Sequence, residues 1–186
     1  MHKSLFYQKN FLIPDFELGM MGAPTAIKIV TCVNGQLLLH EERLKNILDA
    51  AKGGEEEPEL VILSAVGTPN NEKTMLINLC LQFFQKKGRG GWMNYFSKGK
   101  QIDGFPWGDE RQPEEPEDCI WMWSQPFLVD ADSGKSYVVF LLDVSTNMKT
   151  GGADEMFGPM EAFASLVSST VLVNRSCVWF FGKLFI

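Results

Sequence analysis

The sequence predicts an α/β domain, and three features of its pattern carry that prediction. Residues 60–66 (LVILSAV) form a short continuous apolar run, as a strand buried on both faces requires. The run stops at Gly67-Thr68-Pro69-Asn70-Asn71, and an apolar segment of helical spacing starts near Lys73. A second apolar run, residues 138–143 (VVFLLD), follows later in the chain. Strand, tight loop and helix in that order open an α/β unit, in which sheet and helices pack as layers around one core.

Each element follows from its local pattern. Residues 1–25 read as a loosely ordered leader ending in Gly22-Ala23-Pro24. Residues 26–33 (AIKIVTCV) are β-branched and apolar, Asn34-Gly35 is a hairpin-turn signal, and residues 37–39 return as a short strand. Residues 41–51 carry Leu44, Ile47 and Leu48 at helical spacing, and a polar loop over 52–59 follows. In the helix after the tight loop, Leu76, Leu79, Cys80, Phe83 and Phe84 share one face. Residues 88–117 are long, polar and rich in Gly, Pro and acidic side chains, a functional or disordered loop. Residues 120–129 and 137–142 read as two strands joined around Asp132-Ser133-Gly134; a helix over 161–169 and a strand over 170–173 complete the series.

Composition narrows the function. At 186 residues the chain is long enough for one well-buried domain and too short for two ordinary ones. Apolar residues at 45% and charged residues at 22% match a globular protein. A formal net charge of −6 disfavours sequence-independent attraction to nucleic acid or anionic lipid, so no nucleic-acid partner is expected. Lys86, Lys87 and Arg89 read as a solvated helix end. The four cysteines are scattered, and with only His2 and His40 beside them a zinc site is not expected. Scattered thiols and an N-terminus that mixes charges into its apolar residues point to a reducing, cytoplasmic setting. No apolar stretch approaches the roughly 20 residues that span a bilayer, so no transmembrane segment is expected.

The chemistry concentrates at residues 67–74, G-T-P-N-N-E-K-T. A phosphate-binding loop reads G-x-x-x-x-G-K-[ST], and Gly67, Lys73 and Thr74 fall at the required offsets. That spacing lets backbone N–H groups and a helix N-terminus curl around phosphates. The lysine reaches the β- and γ-phosphates, and the next hydroxyl binds Mg²⁺. Glu72 replaces the second glycine and sets a carboxylate near a polyanion. At a separation of about 5 Å and a dielectric of about 20, each unit repulsion costs on the order of 3 kcal/mol. That penalty weakens binding on the order of a hundredfold unless Glu72 turns away. Asp143, closing the VVFLLD strand, stands where such enzymes support the metal, although a strand-terminal Asp is also an ordinary turn residue. Trp121 and Trp123 share one face of a strand; with Trp107 they suit stacking on a base, but packing against the core accounts for them more simply.

From about Ala26 to Asn174 the chain resembles the GTPase domain of the guanylate-binding protein and atlastin (GB1/RHD3-type) family of the dynamin superfamily, particularly the branch that also carries a RING finger. The residues carrying the likeness are VILSAVGTPNNEKTMLINLCLQF, Gly104-Phe105-Pro106-Trp107, Ile120-Trp121-Met122-Trp123-Ser124, VVFLLD, and residues 165–169 onward to Asn174. The resemblance implies a P-loop NTPase-like, mostly parallel sheet flanked by helices, incomplete at its C-terminal end. It implies GTP or GDP as ligand, Mg²⁺ as cofactor, and a homodimer formed through the domain. Gly67, Lys73 and Thr74 take the nucleotide-binding positions, Thr74 and Asp143 the metal positions.

Several family positions are replaced. Asn70 stands at the arginine-finger position, Asp118 is nearest the first-switch threonine, and Asp143-Val144-Ser145-Thr146 lacks the glycine that senses the γ-phosphate. No residue is therefore assigned a catalytic role, and hydrolysis is expected to be weak or absent. Residues 175–186 diverge into an apolar tail where a guanine-reading motif is expected further on. Its Val178-Trp179-Phe180-Phe181 run suits a buried strand or an exposed apolar patch. Two other readings stand beside GTP binding: a nucleotide-free pseudo-GTPase that acts as an interaction or dimerisation domain, and a truncated product without stable function.

Overall fold

The structure is a computed structural model, and its described residues are 23–51, 58–67, 71–88, 104–106, 118–131, 134–146, 158–175 and 178–182. They form eight strands and three helices. In chain order these are β1 (Ala26–Val33), β2 (Gln36–Leu39), α1 (Glu41–Asp49), β3 (Glu59–Gly67), α2 (Asn71–Gln85), β4 (Cys119–Trp123), β5 (Phe127–Asp130), β6 (Ser136–Ser145), α3 (Pro159–Val167), β7 (Thr170–Arg175) and β8 (Val178–Gly182). Residues 1–22, Arg89, Trp107 and Asp132-Ser133 lie outside the described set.

The strands join one sheet in the order β2-β1-β4-β6-β3-β7-β8, with β5 also paired to β6. The α/β class is as expected, but the sheet is mixed. Parallel pairing is confined to its centre, where β3 lies between β6 and β7. The outer pairs β1–β2, β1–β4, β4–β6, β5–β6 and β7–β8 are antiparallel. A parallel pair needs a crossover, whereas these outer strands are joined by tight turns or follow long connections back along a neighbour. The Asn34-Gly35 turn supplies one: both residues take positive φ, 51° and 77°, as a type I′ hairpin demands.

The strand expected over 120–129 divides in two. Leu142 of β6 faces Met122 and Val139 faces Phe127, so the two pieces run along the same edge of β6 with extra residues looped out between them. Pro126 in that gap has no N–H to give a ladder, and Ser124 turns its N–H to the Thr25 carbonyl at 2.9 Å.

Two apolar layers cover the sheet. On one face Ile47 of α1 and Met160 and Ala164 of α3 pack against Val30, Ile120, Phe140 and Leu142. On the other, Ile77 and Leu81 of α2 pack against Ala65, Phe127 and Leu141, together with Phe105 and Trp123. The buried stripe of α2 is therefore centred on Ile77 and Leu81, one position round from the face expected at Leu76, Cys80 and Phe84, which pack at its margin. Full burial of each such aliphatic side chain contributes about 2 kcal/mol. α2 ends in a Schellman turn: Gly88 N–H donates to Phe83 O and Lys87 N–H to Phe84 O, with Lys87 left-handed at φ 54°.

Candidate nucleotide-binding site

The site forms where the C-terminal ends of β3 and β6 meet the start of α2. β3 ends at Gly67, whose φ of 134° is open to glycine but strained for other residues. The backbone of β7 crosses beside it, and a Cβ on Gly67 would collide with the Asn174 carbonyl oxygen. Glycine is thus required here on two counts. Residues 68–70, including Asn70 at the arginine-finger position, lie outside the described residues.

α2 begins at Asn71, two residues before the start expected near Lys73. Glu72 therefore sits in a helical first turn, where its charge is favourable to the helix dipole and no left-handed conformation is asked of it. Its carboxylate is drawn aside, accepting a hydrogen bond from Asn174 Nδ2 at 3.0 Å. The carboxylate is thus held on a buried side chain beside Gly67.

Lys73 and Thr74 point inward, each with about one per cent of its surface exposed. The Lys73 ammonium donates to Gly67 O at 3.0 Å and to Thr146 Oγ1 at 3.2 Å, and lies 3.8 Å from Glu161 Oε1. Thr74 Oγ1 donates to Asp143 Oδ2 at 2.9 Å, with Asp143 fully buried at the end of the apolar β6 run. The four residues singled out by spacing and resemblance, Gly67, Lys73, Thr74 and Asp143, thus lie together. The Thr74 hydroxyl and the Asp143 carboxylate are a hard-oxygen pair of the kind that takes Mg²⁺, so the residues fit that ion. When bound, Mg²⁺ would neutralise phosphate charge at this point.

Three residues of the neighbourhood escaped sequence reasoning. Glu161 is buried at the third position of α3, after Gly158 at its N-cap and Pro159 at its first turn. In sequence it is an ordinary first-turn acid, and nothing there signals that it reaches Lys73. Asn174 is fully buried at the end of β7. Asn78, one turn beyond Thr74, clamps the segment 104–106: its Nδ2 donates to Phe105 O at 2.9 Å, and Phe105 N–H donates to its Oδ1 at 2.8 Å. Gly104 is needed beside this clamp, since a Cβ there would strike the Asn78 amide oxygen.

Trp121 and Trp123 belong to packing. Trp123 is buried with its ring 5.6 Å from that of Phe105, and the half-buried Trp121 carries the Lys28 ammonium 5.0 Å from its centroid. Among the described residues no group of His, Cys, Asp and Glu forms a separate metal cluster.

β3 ending at Gly67, α2 starting at Asn71 and Asp143 near the end of β6 together have the arrangement of a phosphate-binding-loop domain. The model of the guanylate-binding protein N-terminal domain matches residues 34–178, and the chain belongs to that family. It is similar to RING finger protein 112 of Bos taurus, 32% identical over 117 residues that make up 62% of this chain and 17% of the relative. Atlastin-3 of Homo sapiens is 23% identical over 63% of this chain and 22% of its own length. Atlastin-1 of Macaca fascicularis is 24% identical over 64% and 21%. The matched part of the chain therefore spans less than a quarter of each relative.

Proposed function

We propose that this chain is a GTP-binding domain of the large dynamin-superfamily type, holding nucleotide with Mg²⁺ and hydrolysing it weakly or not at all. The observation that carries the reading is the buried set in which Lys73 is returned to Gly67 and Thr74 to Asp143. Lys73 is the phosphate cation, and Thr74 and Asp143 are the Mg²⁺ residues. The weak-hydrolysis part rests on sequence: Asn70 brings no charge to a transition state where an arginine is worth on the order of a thousandfold. Thr146, replacing the γ-sensing glycine, accepts a hydrogen bond from Lys73 at its hydroxyl oxygen instead. Membership of the family supports dimerisation through the domain. The scattered spacing of the four cysteines supports a reducing, cytoplasmic setting. Among the described residues no helix is long and apolar enough to cross a membrane.

The internal pairing of Lys73 with Glu161 favours a second reading, a nucleotide-free domain that keeps the fold for pairing with other proteins. One substitution separates the two. Lys73→Ala abolishes nucleotide binding under the first reading. Binding of a GTP analogue that is unchanged by this substitution sinks the assignment of Lys73.

A further inference from the structure

Burying an ammonium requires a compensating anion or a full set of hydrogen-bond acceptors. Lys73 has both: the Gly67 carbonyl, the Thr146 hydroxyl and the Glu161 carboxylate surround it, and the Lys73 and Glu161 side chains are 1% and 5% exposed. Glu161 is held in place by its own helix. It occupies the third position of α3, where a carboxylate is favoured by the helix N-terminus. A Cβ on Gly158 would sit 3.1 Å from its Oε2, so the carboxylate folds back over the start of the helix.

A loop lysine serves the β- and γ-phosphates, and the γ-phosphate is the one whose contacts reach the switch segments. Thr146 is the residue next after β6, in the second-switch position, and its hydroxyl accepts from the same ammonium that lies beside Glu161. The carbonyl of Gly67, where β3 ends, accepts a further hydrogen bond from the same ammonium.

Resting on the nucleotide-binding reading, we infer that Glu161 is a specificity-determining residue standing in for the terminal phosphate, so that this site takes a nucleoside diphosphate in preference to a triphosphate. A diphosphate asks Lys73 to serve the β-phosphate alone, so Glu161 keeps its share of the ammonium. A triphosphate sets its terminal group against a carboxylate already bound to the same lysine. The like-charge penalty at such range is worth on the order of tenfold in affinity or more.

The test is calorimetric titration of wild type, Glu161→Gln and Glu161→Asp with GDP and with a non-hydrolysable GTP analogue, all with Mg²⁺ and each variant checked for a cooperative melt. Wild type binds GDP more tightly than the analogue. Glu161→Gln, which keeps shape and removes charge, raises analogue affinity by about tenfold or more while moving GDP affinity by less than about threefold. Glu161→Asp, which withdraws the charge, gives a smaller change in the same sense and carries the test if Glu161→Gln does not fold. Should both nucleotides bind with the same ratio in all three proteins, Glu161 does not set specificity, while the nucleotide-binding reading stands. Should neither nucleotide bind any of the three, that reading falls and this inference with it.

Discussion

Asn78→Ala removes the clamp between the helix that carries Lys73 and the segment 104–106 that runs toward β4. In the native protein one amide accepts from the Phe105 N–H at 2.8 Å and donates to the Phe105 carbonyl at 2.9 Å, with Asn78 and Phe105 both buried. Alanine satisfies neither backbone group, and each buried group left unpaired costs about 1–3 kcal/mol. The sum is about 3 kcal/mol once some relaxation is allowed, and for a chain of this size that lowers Tm by about 6–12 °C. Asn78→Asp discriminates between lost volume and lost hydrogen bonding. It retains an acceptor for the Phe105 N–H but faces the Phe105 carbonyl with an oxygen, so its loss is at least as large despite its near-native size. Urea unfolding of the three proteins, with slopes compared to confirm a common transition, reads the difference. An Asn78→Ala midpoint that corresponds to less than about 0.5 kcal/mol would refute the claim that this clamp holds the segment.

Two further expectations concern backbone and burial. Gly67→Ala combines strain at positive φ, about 1–3 kcal/mol, with a collision against the Asn174 carbonyl that pushes β7 from β3. Thermal unfolding should show a large loss, and a Tm within about 2 °C of wild type contradicts it. Cys80, on α2, has its thiol pushed by burial from 9.0 up to about 11. The folded state therefore keeps this proton after the unfolded state has lost it, so its contribution is fully present below pH 9.0 and is lost as pH rises through about 11. Denaturant midpoints across that window should fall less in Cys80→Ala than in wild type; parallel curves contradict the assignment.

How much was legible follows the kind of signal each residue leaves. β1 and β3 were plain because continuous apolar, β-branched runs have few other uses, and residues 67–74 stood out because their spacing matches a rigid chemical pattern. The buried face of α2 was misplaced by one residue for a physical reason. Lys73, Thr74, Asn78 and Gln82 occupy the buried stripe alongside Ile77 and Leu81, so the most apolar face of the sequence is not the most buried face of the helix. The break at Ser124-Gln125-Pro126 was written in its proline but hidden by the apolar residues on either side. Glu161 left no trace at all, because its partner lies far away in sequence and only the packing of α3 against β3 and β6 brings the two together. The mixed pairing of the sheet was likewise invisible, since strand patterns state which residues are buried and not which direction the neighbour runs.

The most direct test of the central claim is a calorimetric titration of the purified chain with guanine nucleotide, GDP and then a non-hydrolysable GTP analogue, with and without Mg²⁺. The account predicts saturable, micromolar binding that strengthens when Mg²⁺ is present, because an ion held by Thr74 and Asp143 would share the phosphate charge with Lys73. No heat and no thermal stabilisation at millimolar nucleotide would contradict it, and would leave the buried lysine as part of a fold retained for partners other than nucleotide.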